Sequence, residues 1–235
     1  MKLRILATVL LLAPSLWATP LKAQNLDHLR HLATTGGCIR CNLSGANLSN
    51  ATLNSANLSS SDFIGAFLDN SRLINANLTR ANLTGAKLTS ANLTGASLWG
   101  ASLRNASLTG ASLIGADLTY AALNNTILIG ADLNGANLNL AKLRDANLSD
   151  ASLKGANLRN ADFKRANLRG ANLSDADMTD VDLTNADLKG VNLRGANLRR
   201  ANLTGVSLKE AILCNTIGWN GNISNRDCAV AQQKD

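Results

Sequence analysis

Leucine or a similar apolar residue occupies every fifth position from Leu43 to Leu213, which gives 35 consecutive units in one phase. The substitutes for leucine are Phe63, Phe163 and Met178. A small residue stands two positions before each of these, and it is alanine in 28 of the 35 units. The other seven units have Cys41, Ser61, Ser71, Thr126, Val181, Val191 and Val206 there. The repeating unit is therefore A-(N/D)-L-x-x, with two apolar positions that lie two residues apart.

A period of five fits neither a regular α-helix nor a flat β-strand. A helix turns by about 100° per residue, so residues five apart step by roughly 140° and spread around its circumference. A strand alternates sides, so an odd repeat sends successive leucines to opposite faces of a sheet. The backbone must turn once in each unit, which predicts an all-β solenoid of stacked coils. We expect inward Ala and Leu positions, such as Ala136, to be buried from Leu43 to Leu213, and outward positions, such as Asn134, to tolerate substitution.

The polar positions of the unit agree with tight corners. Asn or Asp stands between Ala and Leu in 21 units, and Gly, Asn, Ser or Asp often ends the unit, as at Gly45 and Asn50. With its ANL at 46–48 and ADL at 116–118 and 186–188, the chain resembles the pentapeptide-repeat family over about three quarters of its length. The resemblance implies a right-handed quadrilateral β-helix with four units per coil. Nearly nine coils at strand spacing would make a rod roughly 40 Å long.

The N-terminus has the features of a secretory signal peptide. Lys2 and Arg4 precede an almost wholly apolar run over residues 5–13, and Ala18 and Ala23 both offer a small residue for cleavage. We expect cleavage after Ala23. The alternative is an uncleaved membrane anchor, for which the apolar run is too short. The resemblance to exported pentapeptide-repeat proteins, a type abundant in cyanobacteria, implies the periplasm or the thylakoid lumen.

Nonrepetitive segments flank the repeats and predict caps, because the open ends of a solenoid expose unpaired backbone and apolar side chains. Leu26, Leu29 and Leu32 follow a candidate N-cap at Asn25, which predicts a short amphipathic helix. The predicted organisation is a signal peptide at 1–23, an N-terminal cap at 24–41, the pentapeptide-repeat β-helix at 42–213 and a C-terminal cap at 214–235.

Four cysteines in an exported chain predict two disulfides. Of the three connectivities, we favour Cys38–Cys41 with Cys214–Cys228, because the others would have to bridge the length of a rigid rod. Cys38 and Cys41 both fall in an inward phase, which favours a structural disulfide at the first coil over a reactive pair.

Two other functions remain open for the first cysteine pair. Cys38 and Cys41 could form a redox dithiol, although no thioredoxin-like pattern surrounds them. With His28 and His31 they could bind zinc, although the order and spacing match no usual zinc finger. The corresponding alternative function is a redox-responsive or metal-binding protein that uses these cysteines.

Charge narrows the range of partners. The chain has 23 basic and 16 acidic residues, and loss of three basic residues with the signal peptide leaves 20 against 16. The mature protein is therefore mildly basic. Family members implicated in imitating DNA need a strongly acidic rod, so we expect no nucleic-acid partner. If four units make a coil, Arg169, Lys189 and Lys209 stack as a basic ladder, which is a candidate anion site or a solvated surface.

The same twenty-residue arithmetic brings together several large outward side chains. Trp99, Tyr120 and Leu140 fall near one another on one side of the rod, flanked by Arg80 and Arg159. We call Trp99, Tyr120 and Leu140 the apolar stripe. An outward stripe of apolar and aromatic side chains with arginines suits a protein contact, and the alternative is local packing.

Nothing in the sequence indicates catalysis. The periodicity is uninterrupted by a nucleophile motif, a Gly-rich phosphate loop or a cluster of metal ligands. Catalysis usually needs an irregular, concave site, which a regular rod does not offer. The sequence predicts a noncatalytic structural or protein-interaction module without a cofactor or metal, with an unknown protein partner or self-association.

Overall fold

The computed structural model describes residues 23–228, with side chains described from residue 26. The predicted signal peptide thus lies outside the described residues, apart from the backbone of Ala23, and so do residues 229–235. The named elements are one helix, α1 (Ala23–Thr35), and two short antiparallel strands, β1 (Thr216–Ile217) and β2 (Ile223–Ser224). Between α1 and β1 the chain forms the coils.

The coils are joined by parallel bridges between residues twenty apart, which begin with Asn42 and Asp62 and end with Asn197 and Ile217. Twenty residues are four pentapeptides, so each coil has four sides. Each unit up to Asn202 contributes one bridged residue, the one between the Ala and Leu positions, and therefore no long strand forms. The hydrogen bonds are regular: the N–H of Leu118, for example, donates to the carbonyl of Asn137 one coil further on, at 2.7 Å.

The Ala and Leu positions line the interior as the pattern predicts. From Leu43 to Ala201 all of them are at most 8% exposed, including the alanine substitutes Ser61, Ser71 and Thr126. The expectation of burial up to Leu213 is wrong in the last coil. Leu203, Val206 and Leu208 are only partly buried there. Their outer neighbour would be a further coil, which residues 23–228 do not supply at these positions.

Asn and Asp are common between Ala and Leu because their side chains brace the turn that follows. The Asn47 Oδ1 accepts the N–H of Ser49 at 3.1 Å, and the Asp132 Oδ1 accepts the N–H of Asn134 at 3.0 Å. This bond to the backbone two residues on is the Asx turn. The outward position is therefore constrained by the corner even where it faces solvent.

The last residue of the unit forms the corner in a left-handed conformation. Gly170 has φ +66° and Gly155 has φ +64°. Asn, Asp and Ser fill many other corners, because their short polar side chains tolerate this region better than most. Larger residues also occur there, and Tyr120 and Leu140 both have φ +60°.

Replacing Gly170 by alanine is expected to destabilise the protein more than replacing Gly155. Both substitutions place a Cβ in the left-handed region, at about 1–2 kcal/mol each. A Cβ on Gly170 would also overlap the carboxylate of Asp150 in the preceding coil, whereas a Cβ on Gly155 meets nothing within 4 Å. Denaturant unfolding of the two variants measures the difference. Equal losses would show that the Asp150 side chain moves aside without penalty.

Helix α1 covers the first coil with Leu29 and Leu32, which are 7% and 1% exposed. Two details of the predicted cap are wrong. The helix begins at Ala23, so Asn25 lies inside it rather than at its N-cap. Leu26 is 47% exposed and takes no part in the apolar face that covers the coil.

At the other end β1 and β2 form a small hairpin whose following residues fold back on the last coil. Asp227 ties the two together: its Oδ2 accepts the N–H of Leu213 at 2.9 Å, and its own N–H donates to the carbonyl of Leu213 at 3.0 Å. Leu213 and Thr216 are buried beneath this cap. The cap thus covers the sides of the last coil that carry these two residues.

Candidate interaction surfaces

The apolar stripe is assembled by the coil geometry. Tyr120 and Leu140 occupy equivalent corners one coil apart, and Trp99 directly precedes the equivalent corner at Gly100. The rings of Trp99 and Tyr120 meet edge to face, with centroids 5.9 Å apart and an interplanar angle of 75°. This arrangement is one of the two that aromatic pairs prefer. Tyr120 is 53% exposed, whereas Trp99 and Leu140 are partly buried.

The two flanking arginines have different roles. The guanidinium of Arg80 lies over the Trp99 ring, 5.0 Å from its centroid, which is a cation–π contact. Arg159 instead donates from Nη1 to the Asp177 Oδ2 at 3.2 Å. The structure therefore places Arg80 on the stripe and turns Arg159 toward a carboxylate outside it.

Ion pairs and exposed apolar side chains are concentrated in different parts of the rod. Seven of the nine ion pairs in the described residues lie between Arg144 and Glu210, and all seven join neighbouring coils. Six of the seven exposed large apolar residues of the repeats precede Arg144, and the seventh is Ile212 in the last unit. The six are Ile64, Phe67, Ile114, Tyr120, Ile127 and Ile129. The part of the rod that carries the stripe is thus also the part in which most of these side chains are exposed.

The basic ladder is largely neutralised by its neighbours. Arg169 contacts the Asp187 carboxylate at 3.2 Å, and Lys189 contacts Glu210 at 3.4 Å. The N–H of Lys189, followed by the Arg169 guanidinium, lowers the pKa of Asp187 and outweighs its desolvation. Lys209 has no carboxylate within ion-pair distance among residues 26–228. The geometry gives weak support to an anion site, because two of the three basic side chains of the ladder already pair with carboxylates of the protein.

The ion-paired half of the rod depends on pH in a defined direction. A hydrogen bond from Arg165 lowers the pKa of Asp145, and one from Arg200 lowers the pKa of Asp180. A carboxyl with a lowered pKa stabilises the fold above its unfolded-state pKa, and that contribution is lost as the pH falls through the folded-state value. The contribution of these exposed pairs between neighbouring coils is thus present at neutral pH and is lost in acid.

The four cysteines form two disulfides. Cys38 is joined to Cys41 with a Cα–Cα distance of 5.5 Å, and Cys214 to Cys228 with 4.6 Å. The Cys38–Cys41 pair is buried, and the hydroxyl of Ser61 donates to the Cys38 carbonyl while accepting the N–H of Cys41. The pair therefore sits within the cap rather than on an accessible surface.

The histidines do not complete a metal site with this pair. The His28 Nδ1 accepts the N–H of Asn42 at 3.1 Å, which joins α1 to the first coil. Across residues 26–228, His, Cys, Asp and Glu form no group that could hold a metal ion. The arrangement favours a structural role for Cys38 and Cys41 over the redox or metal-binding alternative.

Sequence reasoning missed two surface features. The Nζ of Lys87 lies 4.9 Å from the centroid of the Phe67 ring, and both residues occupy the bridged position in successive coils. The twenty-residue spacing that identified the stripe would also have found this pair. The second feature is the partly exposed apolar end of the last coil, for which the repeat pattern holds no signal.

Parallel bridges at a spacing of twenty, a Leu and Ala interior and left-handed corners define a four-sided β-solenoid built from pentapeptides. The pentapeptide repeats family model matches the chain in eight copies, whose matched ranges together extend from residue 41 to 217. The chain belongs to the pentapeptide repeat family. Membership implies a right-handed β-helix, and proteins of this family are generally structural or interaction modules.

Solved structures of the family resemble the chain to different degrees. HetL, a pentapeptide repeat protein involved in heterocyst differentiation regulation from the cyanobacterium Nostoc, is 36% identical, with a TM-score of 0.59 over 83% of this chain and 97% of that one. A pentapeptide repeat protein from the Arabidopsis thaliana thylakoid lumen is 38% identical, with a TM-score of 0.19 over 48% of this chain and 64% of that one. No curated protein matches the chain significantly in sequence. Within residues 23–228 no helix is long and apolar enough to span a bilayer.

Proposed function

We propose that the protein is a noncatalytic interaction module of an exported compartment, the periplasm or the thylakoid lumen, and that it binds a protein partner through the apolar stripe. Export rests on the signal-like N-terminus, with Lys2 and Arg4 before an apolar run. The noncatalytic assignment rests on the regular sides of the rod, where each outward residue takes part in a repeated corner. The stripe is the part of that surface with a protein-binding character.

The main support for the stripe as a binding surface is the identity of the residues at two of its corners. Tyr120 and Leu140 adopt φ +60°, where a bulky side chain is unfavourable by about 1–2 kcal/mol. Most corners of the chain avoid this penalty with Gly, Asn, Asp or Ser. Unfavourable backbone conformations that persist in a protein tend to serve a functional site. Three arginines of the repeats share this conformation at other corners, whereas Tyr120 and Leu140 are large and apolar and occupy successive corners of one side. Their presence there supports a role for what their side chains contact.

The contacts around the stripe also fit a protein partner. Trp99, Tyr120 and Arg80 belong to the residue types that dominate binding energy at protein interfaces. The cation–π contact with Trp99 holds the Arg80 side chain against the rod, which limits the conformational entropy that binding would remove. The stripe is thus a compact, partly ordered anchor rather than a set of unrelated side chains.

Replacing Tyr120 by asparagine separates binding from folding. Asn tolerates the left-handed corner, so we expect the free energy of unfolding to stay equal or to rise by up to about 1 kcal/mol. Loss of the aromatic anchor should weaken partner binding by about 1–2 kcal/mol, or roughly 5- to 30-fold. Trp99→Ala should weaken binding similarly, with little effect on folding.

The measurement is a pull-down from the native extract with each variant as bait, followed by affinity determination for the captured partner. Ile114→Ala is the matched control, because Ile114 is also an outward apolar residue, 42% exposed. A partner that binds the wild type and the control but neither stripe variant supports the proposal. Unchanged binding by both stripe variants, or a Tyr120→Asn protein that is clearly less stable, would reassign the stripe to local packing.

A further inference from the structure

Asparagine directly precedes glycine at two places in the sequence, Asn134–Gly135 and Asn220–Gly221. Asparagine is a chemically labile residue, because its side-chain amide can be attacked by the backbone nitrogen of the residue that follows. Glycine leaves that nitrogen most accessible, since it has no side chain and restricts the backbone least. The two sites therefore have the same intrinsic reactivity, and the structure decides which of them reacts.

The Asn134–Gly135 site lies in the middle of the rod, where the next coil holds both reacting groups. The N–H of Gly135 donates to the carbonyl of Lys154 at 2.9 Å. The Asn134 Oδ1 accepts the hydroxyl of Ser152 at 2.6 Å and the N–H of Lys154 at 2.9 Å. Attack of the Gly135 nitrogen on the Asn134 side chain would break bonds that join one coil to the next. The rod therefore protects this site.

The Asn220–Gly221 site lies in the loop between β1 and β2, where Asn220 is exposed. The N–H of Gly221 donates to the carbonyl of Gly218 at 2.9 Å, and the Asn220 Oδ1 accepts the N–H of Asn222 at 3.0 Å. Both bonds are made within the loop itself. A local opening of the loop therefore frees both reacting groups and leaves the coils undisturbed.

A basic side chain also lies beside this loop. The Nε of Arg199 is 4.0 Å from the position that a Cβ on Gly221 would occupy. Among residues 26–228, Arg199 has no carboxylate within ion-pair distance, so its charge is available to the loop. Loss of the Gly221 amide proton leaves negative charge on the nitrogen, and attack on the side chain moves that charge to the amide oxygen. A positive charge held nearby stabilises both forms.

We propose that Asn220 is a site of spontaneous deamidation, and that its conversion to aspartate and isoaspartate loosens the C-terminal cap as the protein ages. The Gly221 nitrogen gives its proton to a solvent base and forms a bond to the Asn220 Cγ. The bond from Cγ to Nδ2 breaks, and this nitrogen leaves as ammonia with a proton from water. Water then opens the resulting succinimide ring. Opening at Cγ gives aspartate, and opening at the main-chain carbonyl gives isoaspartate.

Both products change the hairpin of the cap. Each adds a carboxylate next to Trp219, which is 58% exposed. Isoaspartate also routes the main chain through the side-chain carbons of residue 220, which lengthens the loop by one backbone atom. The register that pairs Thr216 with Ser224 depends on the length of this loop, so isoaspartate disrupts it. The Thr216 hydroxyl donates to the carbonyl of Leu193 at 2.7 Å and keeps β1 on the coil, so β2 is the strand released.

Incubation of the purified full chain in mildly alkaline buffer, with both disulfides intact, tests the proposal. Mass spectrometry of a digest detects the gain of one mass unit at each site, and isoaspartyl methyltransferase, used as a reagent, labels isoaspartate. In the folded protein we expect Asn220 to be converted at least about tenfold faster than Asn134. In the reduced chain unfolded by denaturant the two rates should become similar, because the fold no longer distinguishes the sites.

Variants test the two parts of the site separately. Asn220→Gln should stay unconverted, because the longer side chain closes a larger ring far more slowly. Arg199→Gln should slow the conversion of Asn220 several-fold. Arg104→Gln is the matched control, since Arg104 is also exposed and unpaired in the described part of the chain but lies in a central coil, and it should leave the rate unchanged.

Hydrogen exchange of the aged protein measures the effect on the cap. The amide of Gly218, which donates to the carbonyl of Asn222 at 2.8 Å, should exchange faster, while that of Leu118 should not change. Fresh Asn220→Asp carries the added charge on a normal backbone, so its exchange at Gly218 should stay close to that of the unaged protein.

Three results would count against these expectations. Equal conversion of Asn134 and Asn220 in the folded protein overturns the proposal, and so does an Asn220 that stays intact while the unfolded chain is converted. Unchanged exchange at Gly218 in aged protein overturns the loosening of the cap. An unchanged rate in Arg199→Gln overturns the role given to that arginine. The site does not involve the stripe, so none of these results depends on the proposed partner.

Discussion

Replacing Leu138 by alanine is expected to lower the free energy of unfolding by about 2–5 kcal/mol, which is the usual range for a buried leucine. Leu138 is 0% exposed and lies between leucines of the coils above and below. Both neighbouring coils are held by regular hydrogen bonds, so the surrounding structure has little freedom to close the cavity. The free energy is measured by denaturant unfolding.

Leu140→Ala is the control, because it makes the same change two residues further along the same unit. Leu140 faces outward at a corner, so its truncation removes surface contacts and leaves the interior filled. We expect a change of less than about 1 kcal/mol. Similar losses for the two variants would contradict the assignment of inward and outward positions that the five-residue period gives.

Removing the Cys214–Cys228 disulfide by paired replacement with alanine is expected to destabilise the C-terminal cap by about 3 kcal/mol in the chain-entropy model. The bond closes a loop with a sequence separation of 14, whereas the Cys38–Cys41 bond has a separation of only 3. The model gives a smaller effect for the shorter loop. The cap also rests on the two hydrogen bonds between Asp227 and Leu213, which the disulfide holds in register.

Hydrogen exchange shows where this stability is lost. In the variant without Cys214–Cys228, the amides of Leu213 and Asp227 should exchange faster, while that of Leu118 in a central coil should change little. Each coil of a solenoid contacts only the coils next to it, so a local response of this kind is characteristic of the fold. Uniformly faster exchange along the rod, or unchanged exchange at the cap, would contradict the role given to this disulfide.

The interior could be predicted from sequence because the period links every position to its environment. Once the Ala and Leu positions point inward, the burial of Ala136 follows from its phase alone. The number of sides did not follow from the pattern; it came from the family resemblance, and the bridges at a spacing of twenty now give it directly. With that spacing, the contact between Trp99 and Tyr120 followed from arithmetic.

Sequence reasoning was weaker where the environment is not periodic. Asn134 occupies an outward position, yet its Oδ1 accepts the hydroxyl of Ser152 at 2.6 Å and the N–H of Lys154 at 2.9 Å. Outward residues thus join successive coils and are less replaceable than the pattern indicates. The start of α1 and the partly open last coil depend on contacts that occur once in the chain, so the repeat pattern does not predict them. The partners of Arg159 and Lys189 depend likewise on the particular residue in the next coil.

The twenty-residue ladder restricts how the length of this protein can change. Insertion or loss of five residues preserves the inward phase but rotates everything beyond that point by one side, roughly a quarter turn. Such a change between Trp99 and Tyr120 would dismantle the stripe without introducing a polar residue into the interior. Insertion or loss of twenty residues keeps every side aligned and alters the rod by one coil spacing, about 4.8 Å. Surface sites on this scaffold are therefore retained through changes of a whole coil and lost through changes of a single repeat.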